Sequence, residues 1–362
     1  MIDWTDRERR RYDRHFRLAE FGEAAQSRLR RSAALVVGAG GLGCPVLQYL
    51  AAAGVGTLGI VDADRVDLSN LQRQTIYTEA DVGLLKADRA AAFVRARNAD
   101  VRTVVFAERL TRHNALDILA PYDVVLDCTD NFAARYLIND ACVLADKPLV
   151  HGAVHRWEGQ LAVFNVPLSD GARSAHYRDL FPAPPAPGVV DDCATAGVLG
   201  VLPGIIGALM ATEAIKLLAG TGEVQHGKLL LFDATTLAWR GLRIRSGTAP
   251  RVERLIDYAA FCGTVAVPTL TAAAALEGEA VHWLDVRTRA EHAAGAVDER
   301  WIERREIEQR HTELPTERRL VVYCQSGKRS AAAVRWLRTH RPDLDSYSLE
   351  GGYPAYRALQ RE

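Results

Sequence analysis

Glycines and an acidic residue follow two apolar runs near the start of the chain, in a pattern that can bind a nucleotide. The first run leads into Gly38-Ala39-Gly40-Gly41-Leu42-Gly43, a helical apolar pattern extends to Ala53, and the second run stops at Asp62. Glycines let the backbone approach a polyphosphate, amides at the start of a helix face it, and the acid can bond ribose hydroxyls. The candidate ligands are Gly38, Gly40, Gly41 and Asp62, although the glycine pattern alone is not specific.

Two cations after this segment indicate what kind of nucleotide chemistry it supports. Arg73 lies in the sequence SNLQRQ, and Lys86 lies where the next helix should begin. A nicotinamide site needs little positive charge near the pyrophosphate, whereas attack on phosphorus needs cations to stabilise the developing charge. Arg73 and Lys86 fit the second requirement, but each taken alone is more simply read as a solvated surface cation.

A carboxylate that could hold Mg²⁺ follows a later apolar run. Residues 123–127 predict a buried strand that delivers Cys128-Thr129-Asp130-Asn131 at its carboxyl end. Ligands of open α/β sheets bind at that edge, and carboxylate oxygens suit Mg²⁺. Asp130 is therefore the candidate metal ligand, with Asn131 beside it. The alternative role for Asp130 is the N-cap of a helix that starts at Phe132.

These motifs together resemble the ThiF/MoeB branch of the ubiquitin-activating superfamily, over about Tyr12 to Arg245. The resemblance implies a Rossmann-like doubly wound α/β sheet. It also implies adenylation, with ATP and Mg²⁺, of the C-terminal carboxylate of a ubiquitin-like sulfur carrier protein ending in Gly-Gly. Short strands after Pro148 would extend the sheet and hold the carrier's tail. Besides the residues already named, the implied ATP ligands are Asp64, Ser69, Asn70, Leu71, Gln72 and Asn131.

The same resemblance implies a homodimer. The segment Tyr12-Asp13-Arg14-His15 matches a family motif whose arginine reaches the ATP of the neighbouring subunit, so Arg14 is the candidate. A solvated helix face with scattered charges explains the arginines equally well.

A second family motif places a catalytic cysteine after a long loop. Residues 167–192 are rich in Pro, Ala and Gly, which suits a mobile surface crossing, and they lead to Cys193 in the sequence CATAGVLG. A thiol on a flexible loop ahead of a helix can be exposed and lowered in pKa. Without the resemblance, a buried free cysteine would be the simpler reading of Cys193.

The chain departs from relatives that bind a structural zinc through two C-x-x-C pairs. His176 and Asp179 occupy the places of the first pair, and residues 246–253 contain no cysteine. Because one His and one Asp do not make a tetrahedral thiolate site, we expect no structural zinc.

A new pattern begins at Pro268 and contains a second cysteine that could do covalent chemistry. The apolar run 320–323 leads directly into Cys324-Gln325-Ser326-Gly327-Lys328-Arg329-Ser330, and an apolar helix follows. A cysteine before a glycine-bearing loop and a helix start meets a nest of backbone amides that stabilises a thiolate. Arg329 and Lys328 add positive charge.

With Asp285-Val286-Arg287 and Glu291-His292, this region resembles a rhodanese domain, in which Cys324 would carry a persulfide. Phosphatase chemistry is the alternative for such a loop, and these two motifs favour sulfur. The segment DERWIE at 298–303 departs from the family pattern at the edge of the pocket.

Composition sets limits on the remaining possibilities. Lys plus Arg equals Asp plus Glu at 45 each, so bulk charge does not indicate a nucleic-acid partner. The charged N-terminus lacks a signal-peptide pattern, and the apolar region 194–219 is interrupted by Pro203 and carries Glu213 and Lys216, so we expect a buried helix, no membrane association and a cytoplasmic location. The predicted organisation is an adenylyltransferase domain at 1–245, a linker at 246–267 and a smaller α/β rhodanese domain at 268–362. The other cysteines are expected in the core: Cys44, Cys128, Cys142 and Cys262.

The two halves predict one reaction sequence, similar to that of molybdopterin-synthase adenylyltransferase/sulfurtransferase fusions. The carrier carboxylate is adenylated, the Cys324 persulfide displaces AMP, and Cys193 or an external thiol releases a thiocarboxylate. Thiosulfate or a cysteine desulfurase would supply the sulfur. The competing classes are an NAD-linked oxidoreductase, a conjugation activator working through a Cys193 thioester, and a non-catalytic binding scaffold.

Overall fold

The computed structural model describes residues 3–185, 197–262, 267–277, 280–317 and 319–360. The chain divides into two compact units after Tyr258, a position inside the predicted linker. Each unit contains its own sheet. The mixed α/β class predicted from the sequence is confirmed.

The first unit is built on an eight-stranded sheet with the order β3-β2-β1-β4-β5-β6-β7-β8. The first five strands in this order pair in parallel, and β6 to β8 add antiparallel strands at one side. The order reverses beside β1, so the carboxyl ends of β1 and β4 flank the crevice where such sheets bind ligands. The strand bounds are β1 Ala33–Val37, β2 Thr57–Val61, β3 Arg102–Phe106, β4 Val124–Asp127, β5 Leu149–His155, β6 Glu158–Phe164, β7 Lys228–Asp233 and β8 Ala238–Arg243.

Helices cover this sheet because their apolar residues recur on one face. The described helices of the unit are α1 Asp6–Phe16, α2 Gly22–Arg31, α3 Gly43–Ala53, α4 Lys86–Arg97, α5 Ala115–Leu119, α6 Phe132–Leu144, α7 Tyr177–Leu180 and α8 Val201–Ala219, with α9 Tyr258–Phe261 at the division. Thr5 and Glu8 form a reciprocal capping box at the start of α1. The main core lies where α3 and α8 meet the sheet, and it includes Leu47, Leu50, Ile206 and Met210.

Helix α8 is, among the described residues, one whose length and composition would allow it to cross a membrane. Its residues Leu202, Ile206, Met210 and Ala214 are buried in the core, as the sequence predicted for a buried helix. Glu213 is buried as well, and its carboxylate is compensated by Lys216 and by the backbone amide of Gln225.

The predicted loop 167–192 is more ordered in its described part than the sequence indicated. Residues 177–180 form α7, and Tyr177 is buried against the rings of Tyr136 and His151. The composition argument failed here because the aromatic residue, and not the small residues around it, determines whether this short segment packs.

The second unit has a four-stranded parallel sheet with the order β10-β11-β12-β9. Its strands are β9 Thr269–Leu270, β10 His282–Asp285, β11 Leu320–Tyr323 and β12 Ser346–Leu349. Its helices are α10 Ala272–Glu277, α11 Arg289–Ala293, α12 Ile307–Arg310, α13 Lys328–His340 and α14 Gly352–Leu359. Strand β11 lies between two neighbours and ends directly before Cys324, so the buried sheet fixes where the sulfur begins.

Candidate functional site

The glycine loop lies tightly against the end of β4. Gly38 has φ +94°, and a Cβ there would lie 2.8 Å from the backbone oxygen of Cys128. A Cβ at Gly43 would clash with the backbone oxygen of Gly38. Glycine is therefore required at both positions, for reasons of backbone conformation and of close approach. The loop leaves β1 with the amide of Gly38 bonded to the carbonyl of Val61, and it enters α3 at Gly43.

Asp62 and Tyr77 hold the loop from the side. Asp62 accepts hydrogen bonds from the amides of Ala39 and Asp64, both at 2.8 Å. Burial raises its pKa, although these amides act in the opposite direction. The Tyr77 hydroxyl donates to the carbonyl of Ala39 at 2.8 Å. Tyr77 was not among the sequence candidates, because a buried tyrosine between two motifs has no local signal of its own.

Lys86 is placed where a cation could meet a phosphate at this loop. It is the first residue of α4, its side chain is 9% exposed, and its Nζ lies 3.5 Å from a carboxylate oxygen of the exposed Asp64. Its positive charge also lowers the pKa of Asp62, which places it in the same cluster. The alternative interpretation, that Lys86 is a solvated surface cation, is therefore wrong.

The SNLQRQ segment forms a turn with internal bonds. Asp67 caps the short helix Leu68–Asn70 and accepts from the Ser69 hydroxyl and amide. Arg73 is half-buried and donates to the carbonyl of Ser69 at 2.9 Å. Asn70 bonds Ser69 and Asp67. The side chains proposed to bind ATP are thus prearranged by bonds within the turn, and Leu71 and Gln72 continue it.

The start of α8 borders the same loop from another side. A Cβ at Gly200 would clash with the backbone and side-chain oxygens of Gln72. A Cβ at Gly41 would lie 3.2 Å from Pro203 and 3.5 Å from Arg73. Three segments that are far apart in the sequence therefore meet at one place in the fold. They are the glycine loop, the SNLQRQ turn and the start of α8.

Gln74 is a residue of this cluster that the sequence candidates omitted. It is 4% exposed, its amide nitrogen lies 3.5 Å from where a Cβ of Gly40 would be, and its Oε1 has no partner among the described residues. A buried amide oxygen without a partner costs free energy, so a bound group that donates to it would be favoured. The sequence could have indicated Gln74, because it is the last residue of the SNLQRQ motif.

The carboxyl end of β4 carries a buried pair that sequence reasoning also missed. Asp127 is fully buried and accepts from Nδ1 of His151 at 2.8 Å, and from the amide and hydroxyl of Thr129 at 3.0 and 2.6 Å. Burial raises the pKa of Asp127, but the bonds from His151 and Thr129 more than offset this and hold it low. Asp127 and His151 lie on neighbouring strands that are distant in sequence, so no local sequence pattern predicts their contact.

Asp130 follows this turn and is exposed, as a metal ligand at the sheet edge should be. The N-cap of α6 is Asn131, whose Oδ1 accepts from the amide of Ala134 at 2.9 Å. The alternative that Asp130 is the cap is therefore wrong, and no protein hydrogen bond to the Asp130 carboxylate is found within the described ranges. A free carboxylate at this edge fits Mg²⁺, whereas the side-chain oxygen of Asn131 is already bonded to its own helix.

Arg14 lies away from the glycine loop of its own chain. Its side chain is 86% exposed, with an ion-pair contact of 3.8 Å to Asp13. On the same helix, Tyr12 packs on Gly54 and accepts a hydrogen bond from Asn98, so α1 sits at the carboxyl ends of α3 and α4. The glycine loop is at the other end of α3, one helix of 11 residues away, or about 16 Å.

Cys193 lies outside the described residues. The chain is described again from Gly197, where the amide of Leu199 bonds the carbonyl of Arg156 at 3.2 Å. Residues 198–199 lie beside the β5–β6 hairpin, and the chain then reaches Gly200 at the nucleotide cluster.

His176 and Asp179, at the positions of the first C-x-x-C pair of zinc-binding relatives, form hydrogen bonds with the backbone. Asp179 is 1% exposed at its side chain and accepts from the amides of Thr248 and Ala249 at 2.8 and 3.0 Å. It also bonds the amide of His176, whose Nε2 lies 3.7 Å away. The residues present do not fit zinc, because the carboxylate already bonds the backbone that the second pair of thiolates would have held. Nearby, Asp140 bonds Arg178 in two places and accepts from Tyr258.

Cys324 lies at the end of β11, fully buried, in front of a turn with Gly327 at φ +85°. Burial raises the pKa of its thiol, but backbone amides of the loop and the Ser330 hydroxyl outweigh burial and lower it. A Cβ at Gly352 would lie 2.5 Å from the carbonyl oxygen of Cys324, and the amide of Tyr353 bonds that oxygen at 2.8 Å. The site thus favours a thiolate, whereas burial raises the pKa of the core thiol Cys44 to about 12.

Arg329 interacts with the sulfur of Cys324, and it is also paired with a carboxylate. Both of its terminal nitrogens donate to Glu291 at 2.7 Å, and this pairing lowers the pKa of Glu291 to about 2. The side chain of Lys328 is not among the side chains that the structure describes. Glu291 of the E-H motif therefore shares the charge of Arg329 with the sulfur, while backbone amides and the Ser330 hydroxyl also stabilise the thiolate.

The other rhodanese motifs form hydrogen bonds and ring contacts that stabilise the structure around the site. Arg287 is buried, bonds Asp285 and packs on the Tyr353 ring at 4.0 Å, while His292 bonds the same carboxylate at 2.9 Å. In the unusual DERWIE segment, Trp301 donates to the carbonyl of Arg287 and stacks on His292. The segment is thus tied to the D-V-R turn by its tryptophan.

Comparison with known proteins agrees with this geometry. The ThiF family model matches residues 12–252, and the rhodanese-like domain model matches residues 270–359. The chain belongs to the ThiF family and carries a rhodanese-like domain.

Relatives include proteins with one or both of these domains. The sulfur carrier protein adenylyltransferase of Thermus thermophilus is 51% identical over 72% of this chain and 98% of its own length. The probable adenylyltransferase/sulfurtransferase MoeZ of Mycobacterium tuberculosis is 42% identical over 96% of this chain and 92% of its own. The adenylyltransferase and sulfurtransferase MOCS3 of Drosophila willistoni is 40% identical over 96% and 82%.

Solved structures show the same fold for the first unit. Escherichia coli MccB, crystallised with a MccA derivative, superposes with a TM-score of 0.58 at 19% identity over 66% of this chain and 72% of its own. PaaA superposes with a TM-score of 0.57 at 21% identity over 67% of this chain and 76% of its own.

Proposed function

We propose that this enzyme adenylates the C-terminal glycine carboxylate of a ubiquitin-like sulfur carrier protein and then replaces the adenylate with sulfur held on Cys324. The enzyme is an adenylyltransferase and a sulfurtransferase, the two activities for which relatives matching 96% of this chain are named. One observation carries the proposal: a single chain combines a glycine loop bordered by buried Lys86 with a cysteine whose surroundings favour the thiolate.

The first step is an exchange at phosphorus. An oxygen of the carrier carboxylate attacks the α-phosphorus of ATP, the bond to the bridging oxygen breaks, and pyrophosphate leaves. Lys86 and Arg73 supply positive charge where negative charge develops, and the glycine loop supplies backbone amides. Asp62 and Gln74 can bond the sugar and neighbouring groups. Mg²⁺, proposed at Asp130, would neutralise phosphate charge when bound.

The second step transfers sulfur. The outer sulfur of a Cys324 persulfide attacks the carrier's acyl carbon, AMP leaves, and an acyl disulfide to Cys324 forms. A thiolate then attacks the Cys324 sulfur, so the thiocarboxylate leaves and a disulfide remains for a reductant to open. We propose Cys193 as this thiol. A Cys193→Ala enzyme that still forms thiocarboxylate in excess reductant would show that an external thiol suffices.

A conjugation activator that passes its carrier onward through a Cys193 thioester is not favoured, because relatives over nearly the whole chain are named for adenylyl and sulfur transfer. An NAD-linked oxidoreductase differs in its ligand. ATP, and not NAD, should raise the thermal unfolding temperature of this protein.

A homodimer and a cytoplasmic location remain part of the proposal. The exposed Arg14 at the far end of α3 supports a role across a subunit interface. A sedimentation experiment that finds a fully active monomer would remove Arg14 from the site.

The experiment combines the enzyme with ATP, Mg²⁺, thiosulfate and a panel of small carriers ending in Gly-Gly, and measures the carrier mass. We expect one oxygen of the carrier to be replaced by sulfur. Cys324→Ala should stop sulfur transfer but leave carrier-dependent pyrophosphate exchange, whereas Cys262→Ala, at another buried cysteine, should leave both activities intact. Lys86→Met should stop pyrophosphate exchange, with the exposed Lys228→Met as its control. Absence of both products with every carrier would contradict the proposal.

A further inference from the structure

Two buried serines lie behind the reactive sulfur. The Ser330 hydroxyl oxygen is 3.6 Å from the sulfur of Cys324, 3.0 Å from the carbonyl oxygen of Gly327 and 2.8 Å from the hydroxyl oxygen of Ser348. Ser330 is 0% exposed and Ser348 is 2% exposed. Ser348 belongs to β12, which pairs with the strand that ends at Cys324.

The direction of the bond between the serines follows from what each hydroxyl can donate to. Within the described residues, Ser330 is the hydrogen-bond partner of the Ser348 hydroxyl. A buried hydroxyl that does not donate is costly, so Ser348 donates to Ser330. The single hydrogen of Ser330 is then left for the Gly327 carbonyl or for the Cys324 sulfur.

The charge on the sulfur decides between these two acceptors. A neutral thiol is a weak acceptor, so the carbonyl takes the hydrogen when Cys324 is protonated. A thiolate forms the stronger, charge-assisted bond, and a donor that itself accepts a bond is strengthened further. The charged groups beside the sulfur are Arg329, which interacts with Cys324 directly, and Glu291, with which Arg329 is also paired.

We propose that Ser348 is a positioning residue that directs the Ser330 hydroxyl to the sulfur of Cys324 and thereby stabilises its anion. Ser330 touches the reacting atom, and Ser348 acts through it. The proposal concerns the thiolate, whose charge lies on the Cys324 sulfur itself, and it does not depend on the function proposed above. The chain offers a matched control in Ser346, which lies two residues earlier on the same strand, is 0% exposed and has a hydroxyl without a described partner.

The test measures the rate of Cys324 alkylation by iodoacetamide against pH in the full-length enzyme, with the Cys324 peptide quantified by mass spectrometry. The midpoint of this pH–rate curve reports the pKa of the Cys324 thiol. We expect Ser348→Ala to raise the midpoint by about half a pH unit and Ser330→Ala to raise it by about one. Ser346→Ala should leave it unchanged. In a Ser330→Ala background, Ser348→Ala should cause no further shift, because its effect is transmitted through Ser330.

Equal midpoints for Ser348→Ala and Ser346→Ala would overturn the proposal, as would an undiminished shift in the Ser330→Ala background. Thermal unfolding of each variant checks that the second unit stays folded. Formation of a Cys324 persulfide from thiosulfate is measured separately on the unmodified enzyme. Failure of persulfide formation with both thiosulfate and a cysteine desulfurase as donor, while the alkylation midpoints are as expected, would refute the sulfur-transfer function and leave the role of Ser348 standing.

Discussion

Replacing Asp179 with alanine should loosen residues 246–249 without any metal being involved. The carboxylate accepts two amides from this segment, at 2.8 and 3.0 Å, and is almost fully buried. Bonds to a charged acceptor contribute about 1.5–3 kcal/mol each, and water can partly replace them at the exposed Thr248, so a loss of about 2–4 kcal/mol is expected. For a domain of this size, that loss lowers the unfolding temperature by about 5–10 °C.

Hydrogen exchange gives the local measurement. In the unmodified protein the amides of Thr248 and Ala249 should be protected, and in Asp179→Ala both should exchange as freely as neighbouring loop amides. Asp170→Ala is the control, because Asp170 is an exposed carboxylate that bonds one turn amide, of Ala172, in the same region. It should change the unfolding temperature by less than about 2 °C.

Acid and chelators complete this test. Burial would raise the pKa of Asp179, but backbone amides more than offset it, so its folded pKa lies below the unfolded value. The stabilisation is therefore fully present above the unfolded pKa and is lost as pH falls through the folded one. A metal chelator at neutral pH should have no effect on the unfolding temperature. Destabilisation by the chelator, or protected amides in Asp179→Ala, would refute this reasoning.

Three further substitutions test the two sites. Asp130→Asn should reduce pyrophosphate exchange at least a hundredfold with little change in unfolding temperature, because this carboxylate makes no described bond in the fold; full activity would exclude Asp130 as the metal ligand. Tyr77→Phe should weaken ATP binding about fivefold by freeing the carbonyl of Ala39, as measured by calorimetry, and unchanged affinity would contradict this. Gly352→Ala should unfold or distort the Cys324 loop, seen as lost thiosulfate sulfurtransferase activity with pyrophosphate exchange retained, whereas normal sulfur transfer would show that the loop can adjust.

Local patterns predicted much of the fold and of the nucleotide cluster. The glycine loop, Asp62 and Lys86 were identified because a strand, a turn and a helix start follow one another in the sequence. Strand β11 was predicted with its observed bounds, and the loop after it was correctly placed.

Contacts between distant segments could not be predicted in this way. His151 reaches Asp127 because β4 and β5 pair, and Asp179 meets Thr248 across 69 residues. The pairing of Arg329 with Glu291 was also missed, because the two residues lie 38 positions apart in the sequence. Even the cap of α6 depended on a detail of backbone conformation that made Asn131, and not Asp130, the capping residue.

The complete burial of Cys324 bears on how long a stored sulfur atom would survive. A persulfide whose outer sulfur were as enclosed as the Cys324 thiol would meet a reductant from solution only when the residues around it open. At low thiol concentration its loss should follow the concentration, and at high concentration it should level off at the rate of opening. The lifetime of the stored sulfur would then be set by the loop, so the cell's thiol pool could change widely without emptying the enzyme.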